Sequence, residues 1–288
     1  MTNGRGSGAP RVALETAFLS SGLPEDACVP TAAAMAAAVR AQGAEPAFVG
    51  VIGGKTVVGV DDNELGRLAG SGKKLSTRDL PLATAGGEDG GTTVAATLFL
   101  AHRAGLDIMA TGGIGGVHPG AARDESADLI ELSRTPVTLV CSGAKAILDL
   151  PATVERLETL GVTVVGYGTD ELPAFWAGES GLPLTRRVDD PGQAAAVARE
   201  ARALGLPGAV LVCVPPPPAE ALSRGESEHA VAHALEEAGT LGIAGAELTP
   251  FLLARVVEIT DGRSLRANRA LLANNAAVAA QIAVAGDR

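Results

Sequence analysis

The chain has 288 residues and a formal net charge of −10 at pH 7. That length can bury a sizeable core, and the acidic balance argues against a face for a nucleic-acid polymer. No apolar run reaches membrane-spanning length and no signal-peptide pattern opens the chain, so neither a membrane partner nor export is expected.

Residues 1–10 are rich in glycine and serine and read as a disordered tail; residues 11–288 read as one domain. Residues 12–20 begin as an apolar strand carrying one acid, Glu15. That acid is either an exposed strand charge or, if buried, a carboxyl with a raised pKa that can donate a proton near neutrality. An alanine-rich helix is expected over 30–42, and a hairpin over 47–52 and 55–60 turning at Gly53-Gly54. A short helix over 63–69 follows the Asp61-Asp62 turn, then Lys73 and Lys74 in a polar segment. A glycine loop over 86–91 leads into an apolar helix over 93–104. Its first residues, Thr93 and the Val94 amide, would lie where a helix favours an anion. A strand over 106–110 feeds the next loop.

Residues 109–150 organise the rest. A glycine-dense loop runs from Thr111 to Gly120, and amides in such a loop can approach a phosphate closely. Many such turns only bend the chain, and this one fits neither GxGxxG nor a P-loop. The run Asp124, Glu125, Ser126, Ala127, Asp128 opens a helix-like pattern. Its carboxylates can hold a hard cation or complement a helix N-terminus. A strand over 137–141 ends in Ser142-Gly143-Ala144-Lys145, where open α/β sheets place ligands. Lys145 has apolar neighbours in Val140, Cys141, Ala144, Ile147 and Leu148. Desolvation lowers a lysine's pKa and exposes its lone pair, although most lysines are solvated surface residues.

Beyond this stretch, the pattern gives a helix over 151–160, a strand over 162–166, and an irregular segment over 171–182. That segment holds Phe175 and Trp176, which either wall a pocket or pack the core. A helix over 190–203 and a strand over 209–213 follow, the strand stopped by prolines at 215–218. A helix over 228–238 carries His229 and His233 at i, i+4, without a zincin motif around them. Helices over 249–260 and 264–284 close the chain, the last holding Asn274 and Asn275, which need partners if buried. Cys28, Cys141 and Cys213 lack metal spacing and read as reduced packing residues of a cytoplasmic protein; no base is evident beside Cys141. Alternating strands and helices give an α/β fold, three layers in α/β/α order around a largely parallel sheet.

Four ordered pieces carry a resemblance: ATGGIGGVH at 110–118, SADLIEL at 126–132, CSGAKAILDL at 141–150 and LETLGVTVVGYGTDELPAF at 157–175. They resemble the pseudouridine-5′-phosphate glycosidase family, and the likeness runs from about Ala13 to the C-terminus. The resemblance implies Glu15 as general acid and Lys145 as the amine that forms an imine adduct with ring-opened ribose 5-phosphate. It also implies substrate contacts from Lys74, Thr93, Val94, Thr111, His118, Ser126, Ala127, Asp128, Asn274 and Asn275. It implies one divalent metal, Mn²⁺, at Asp124, and a homotrimer. The chain departs from the family pattern at Ser21-Gly22-Leu23-Pro24, at Pro119, at Ala34, and in a shortened segment before Asp124. Either cleavage of pseudouridine 5′-phosphate or biosynthetic C-glycoside formation on another acceptor is therefore expected.

Overall fold

The computed structural model describes residues 8–21, 23–120, 124–243 and 248–287. Most of the expected tail, Gly22 of the altered loop, and part of the shortened segment before Asp124 lie outside the described residues.

Strand β1 (Arg11–Leu14) sits between β2 (Glu45–Ile52) and β6 (Ile108–Ala110), parallel to both. β7 (Thr138–Cys141) pairs with β6, and β10 (Val210–Cys213) lies between β7 and β8 (Thr163–Tyr167). All these pairings are parallel, and the short β9 (Arg187–Val188) extends the sheet beyond β8. On the other side, β3 (Lys55–Val58) and β5 (Gly90–Thr92) run antiparallel to β2, while β4 (Lys74–Leu75) pairs in parallel with β5. Strands such as Thr-Leu-Val-Cys and Val-Leu-Val-Cys are buried at every position, as both faces of a helix-covered parallel sheet require.

The helices cover the sheet. Helix α2 (Glu25–Ala41) packs against the long terminal α11 (Arg263–Gly286), which also touches β1, β6 and β7. Helix α5 (Val94–Arg103) lies against α6 (Ala127–Leu132). The remaining helices are α1 (Ala17–Ser21), α3 (Asp62–Ser71), α4 (Leu80–Ala85), α7 (Leu150–Thr159), α8 (Pro191–Ala203), α9 (Arg224–Leu241) and α10 (Leu248–Ile259). Among the described residues, no helix is long and apolar enough to cross a membrane.

Two expectations are corrected. The first strand ends at Leu14 and the apolar run Ala17-Phe18-Leu19 becomes α1, so Glu15 stands just past a strand end. Helix α2 begins five residues before Pro30. Pro30 is exposed, so the carbonyl its missing N–H would have capped can be hydrated. The glycine hairpin is confirmed: Gly53 and Gly54 have φ of 55° and 74°, the left-handed pair of a type I′ turn. Within the expected glycine loop over 86–91, Gly90-Gly91 already belongs to β5.

The topology reverses at β1. The chain leaves β1 for β2 on one side and returns, through β5 and α5, to β6 on the other. Such a switch point opens a crevice at the carboxyl ends of the strands. Leu14 pairs with Ala110, and Ala110 with Val140. The residues that follow these three strands, Glu15, Thr111 and Ser142 to Lys145, therefore emerge side by side, with about 4.8 Å between neighbouring strands.

Candidate active site

The glycine loop and the lysine segment continue the β6–β7 pairing beyond the strands. The Ser142 amide donates to the Gly112 carbonyl at 2.9 Å, Ile114 to Gly143 at 3.0 Å, and Lys145 to Ile114 at 3.1 Å. The backbone under Lys145 is thereby fixed to the glycine loop. Glycine is required here by close approach. A Cβ on Gly115 would run into Ser126 and Asp128, and one on Gly116 into Thr153. Gly143 has φ of 79°, and a Cβ there would strike the Pro173 carbonyl oxygen. Gly120 has φ of 75°, and among the described residues nothing lies within 4 Å of a Cβ placed there. Alanine in the left-handed region costs about 1–2 kcal/mol, so Gly120→Ala should lose only that much. Gly143→Ala should lose several-fold more and most of its activity, as thermal melts and rates of the two variants will show.

Glu15 is half-buried and accepts a hydrogen bond from the Thr111 hydroxyl. Burial pushes its carboxyl above the ordinary value; the charges of Lys145 and Lys74 and the Thr111 bond oppose this, while Asp128 adds to it. Lys74 lies at the start of edge strand β4; the residue as a whole is exposed, yet enough protein surrounds its amine that its pKa is lowered. Burial is the main cause and Lys145 the second, against the pull of Asp128 and Glu15. Glu15, Lys74, Asp128 and Lys145 thus form one electrostatic cluster.

Asp128 is 7 % exposed. One carboxylate oxygen accepts the Ala95 amide at 2.9 Å and the other the Gly115 amide at 2.8 Å. The anion at the N-terminus of α5 is therefore the protein's own, binding α5 to the glycine loop. Ser126 caps α6 by accepting the Asp128 amide, and Ala127 begins that helix. Thr93 caps α5 by accepting the Ala96 amide. The Val94 amide and the amides of Gly112 and Gly113 have no protein acceptor among the described residues. Buried donors without a partner are uncommon, and these three flank the crevice.

The two asparagines separate. Asn275 is fully buried, its amide donating to the Thr111 carbonyl at 2.9 Å and the Ser142 hydroxyl at 3.1 Å. It ties α11 to both site loops. Asn274 is half-buried, and its side chain has no hydrogen-bond partner among the described residues. This knot, with Ser142, was not legible beforehand; its one signal was a hydroxyl directly after an apolar strand. His118 is half-buried at the far end of the glycine loop, where its amide meets the Asp124 carbonyl at 2.9 Å.

Asp124 is exposed, and its carboxylate has no ion-pair or hydrogen-bond partner among the described residues. No group of three His, Cys, Asp or Glu side chains converges among the described residues. One free carboxylate fits a hard, mostly hydrated divalent ion and not a protein cage. His229 and His233 sit exposed on α9 with ring centroids 6.4 Å apart and no third ligand. The three cysteines are free and buried. A hydrogen bond donated to Cys141, then burial, pushes the Cys213 thiol well up, and burial raises Cys28.

A cavity of about 440 Å³ lies at the opposite, amino end of the strands, lined by Arg11, Asp107, Ile108 and Thr138 among others. Its charged groups are the guanidinium groups of Arg11, Arg199 and Arg202 and the carboxylates of Asp107 and Asp287, with no amine beside a raised carboxyl, so the carboxyl edge is the candidate site.

A doubly covered parallel sheet with an amine, a raised carboxyl and open amides at its switch point defines an α/β enzyme that handles a small anionic substrate. The model of the family described as indigoidine synthase A like protein matches residues 2–285, and the chain belongs to that family. It is 53 % identical over 284 residues to a pseudouridine-5′-phosphate glycosidase of Methylobacterium nodulans, covering 97 % of this chain and 84 % of that one. It is 54 % identical over 280 residues to the same-named protein of Gemmatimonas aurantiaca, with 96 % and 92 % covered. Among solved structures, an indigoidine synthase A-like protein of Thermotoga maritima superposes with a TM-score of 0.91 at 37 % identity, over 97 % of this chain and 94 % of that one. The prealnumycin C-glycosynthase AlnA, solved with ribulose 5-phosphate, gives 0.88 at 40 % identity, over 96 % and 91 %.

Proposed function

We propose that the protein cleaves pseudouridine 5′-phosphate to ribose 5-phosphate and uracil, and that Lys145 and Glu15 carry the reaction. The observation behind this is the placement of Glu15, hydrogen-bonded to Thr111, at the strand end next to the loop that fixes Lys145. A carbon leaving group is not activated by protonating an oxygen, as ordinary glycosidases do, so an amine route is needed. Lys145 Nζ attacks C1′ and displaces the ring oxygen O4′, which leaves as a hydroxyl with the Glu15 proton, so the sugar opens; the new C1′–NH₂⁺ group then returns a proton to Glu15. The nitrogen lone pair then forms C=N as the electrons of the C1′–aglycone bond leave with the aglycone carbon, which takes a proton from Glu15. Water hydrolyses the imine and releases ribose 5-phosphate. Lys74 and the open amides of Val94, Gly112 and Gly113 bind the phosphate and sugar oxygens, with His118 and Asn274 at the margins. Asp128, Ser126, Ala127, Thr93 and Asn275 hold those groups in place. A hydrated Mn²⁺ at Asp124 would add positive charge near the phosphate. The working form is a cytoplasmic homotrimer.

The reverse reaction, joining ribose 5-phosphate to a different aromatic or heterocyclic acceptor, is the second reading. It is favoured by the 40 % identity to AlnA and by the changed residues at Ser21 and Pro119.

The test pairs two incubations with Mn²⁺, pseudouridine 5′-phosphate in one and ribose 5-phosphate plus uracil in the other. Each is followed by borohydride and intact mass. A reduced ribose-phosphate adduct that vanishes in Lys145→Ala supports the reading. Its absence from folded wild-type protein in both defeats it. An adduct without uracil turnover moves the synthase reading ahead.

A further inference from the structure

Phe175 has φ of 60°, a left-handed backbone that is a genuine outlier for a bulky residue. The surroundings hold it there. Its amide donates to the Ser142 carbonyl at 3.0 Å, and the Ala174 amide donates to Ala177 at 2.9 Å. Trp176 packs at a 5.2 Å centroid distance, tilted by 60°, and its carbonyl accepts the Leu222 amide at 2.8 Å. The Phe175 side chain is 3 % exposed. Its ring lies against the glycine loop so closely that a Cβ on Gly113 would come within 2.7 Å of the ring, and one on Gly112 within 3.4 Å. One residue thus grips both loops of the site, the lysine segment through its backbone and the glycine loop through its ring.

We propose that Phe175 is the positioning residue for the Lys145 amine. Its ring presses on Gly112-Gly113 while its N–H holds Ser142, so the two loops stay in the register that fixes Lys145 to Ile114. Two sliding, glycine-rich loops would not hold that register through their few backbone bonds alone. Strain of this kind persists only where the surroundings over-determine it, and it clusters at active sites; small displacements of a reacting group are costly. The proposal rests on the reading of Lys145 as the nucleophile.

The test uses full-length Phe175→Ala and Phe175→Leu, each in the absence and presence of ribose 5-phosphate. In the unliganded proteins, amide hydrogen exchange is measured by mass spectrometry over residues 112–116 and 142–145. In Phe175→Ala both segments should exchange at least tenfold faster while α11 is unchanged. With pseudouridine 5′-phosphate as substrate, kcat should fall about 100-fold with KM changed less than threefold, and with ribose 5-phosphate borohydride trapping of the Lys145 adduct should slow in proportion. Phe175→Leu, which retains most of the volume, should recover most of both losses and remains informative if Phe175→Ala does not fold. Unchanged exchange in the two segments overturns the proposal, as does a loss carried by KM alone. Should wild-type protein give no adduct while Phe175→Ala still loosens both segments, the assignment of Lys145 falls and takes this proposal with it. Exchange alone then shows that the fault lies in the reaction and not in the loops.

Discussion

Glu15→Gln is expected to lower kcat about 10³-fold while making the protein more resistant to heat at neutral pH. General acid–base residues contribute about 10²–10⁴-fold. The stability gain follows from the sign of the shift. Burial raises the Glu15 carboxyl above its ordinary value of 4.5, so the folded protein keeps a proton that the unfolded chain has already released. Stability from this group is full below 4.5 and falls as pH rises through the folded-state value. Above that window the wild type carries a half-buried charge that Lys145 and Lys74 only partly compensate. Glutamine carries no charge and can still accept from the Thr111 hydroxyl. The variant should therefore melt at the same temperature as wild type near pH 4 and at a higher one near pH 8. Its residual activity should lack the alkaline fall that loss of the Glu15 proton imposes on cleavage. A lower melting temperature at pH 8, or a rate loss under tenfold, would contradict the assignment of Glu15 as a buried proton donor.

Thr111 and Lys145 were readable in the sequence because each follows an apolar strand, and in a parallel sheet strand ends gather on one edge; Glu15 was read inside a strand and took its role from the resemblance, and the structure places it just past the end of β1. Their mutual placement needed the strand order, since 96 residues separate Glu15 from Thr111. The start of α3 was also readable from the Asp61-Asp62 turn, and Asp61 caps it by accepting the Glu64 amide; the Ser223 cap of α9 was missed, that helix being expected only from 228. What stayed hidden were roles set by distant backbone atoms. Asp128 looks like a metal or substrate carboxylate, but both its oxygens are taken by amides 33 and 13 residues away. Asn275 is matched to carbonyls more than 160 residues off. Local pattern carries no trace of such bonds. Short strands such as β5 and β9 were missed for a related reason: two or three residues give no periodicity, and pairing alone makes them strands. Phe175 and Trp176 could wall a pocket, with core packing the favoured reading. The structure makes both buried, with the Phe175 ring against the loop that the pocket is built on.

Asp128→Asn separates holding the site from touching the substrate. Asparagine offers one acceptor oxygen and one donor NH₂, so the Ala95 or the Gly115 amide must face a donor. An unsatisfied buried group costs about 1–3 kcal/mol, which for a chain of this size lowers the melting temperature by about 2–4 °C per kcal/mol. The N-terminus of α5 also loses its anion. The electrostatic consequence is more specific. Asp128 raises Glu15 and holds Lys74 up, so removing its charge should lower the pKa of both. The alkaline limb of the cleavage profile, set by Glu15, should move to lower pH, and kcat should fall about 10–100-fold as the glycine loop shifts. KM should change little, because both carboxylate oxygens are already engaged by the protein. A raised KM with kcat and pH profile intact would mean instead that Asp128 binds substrate directly, as the family resemblance implies, and that the bonds to Ala95 and Gly115 yield when substrate arrives.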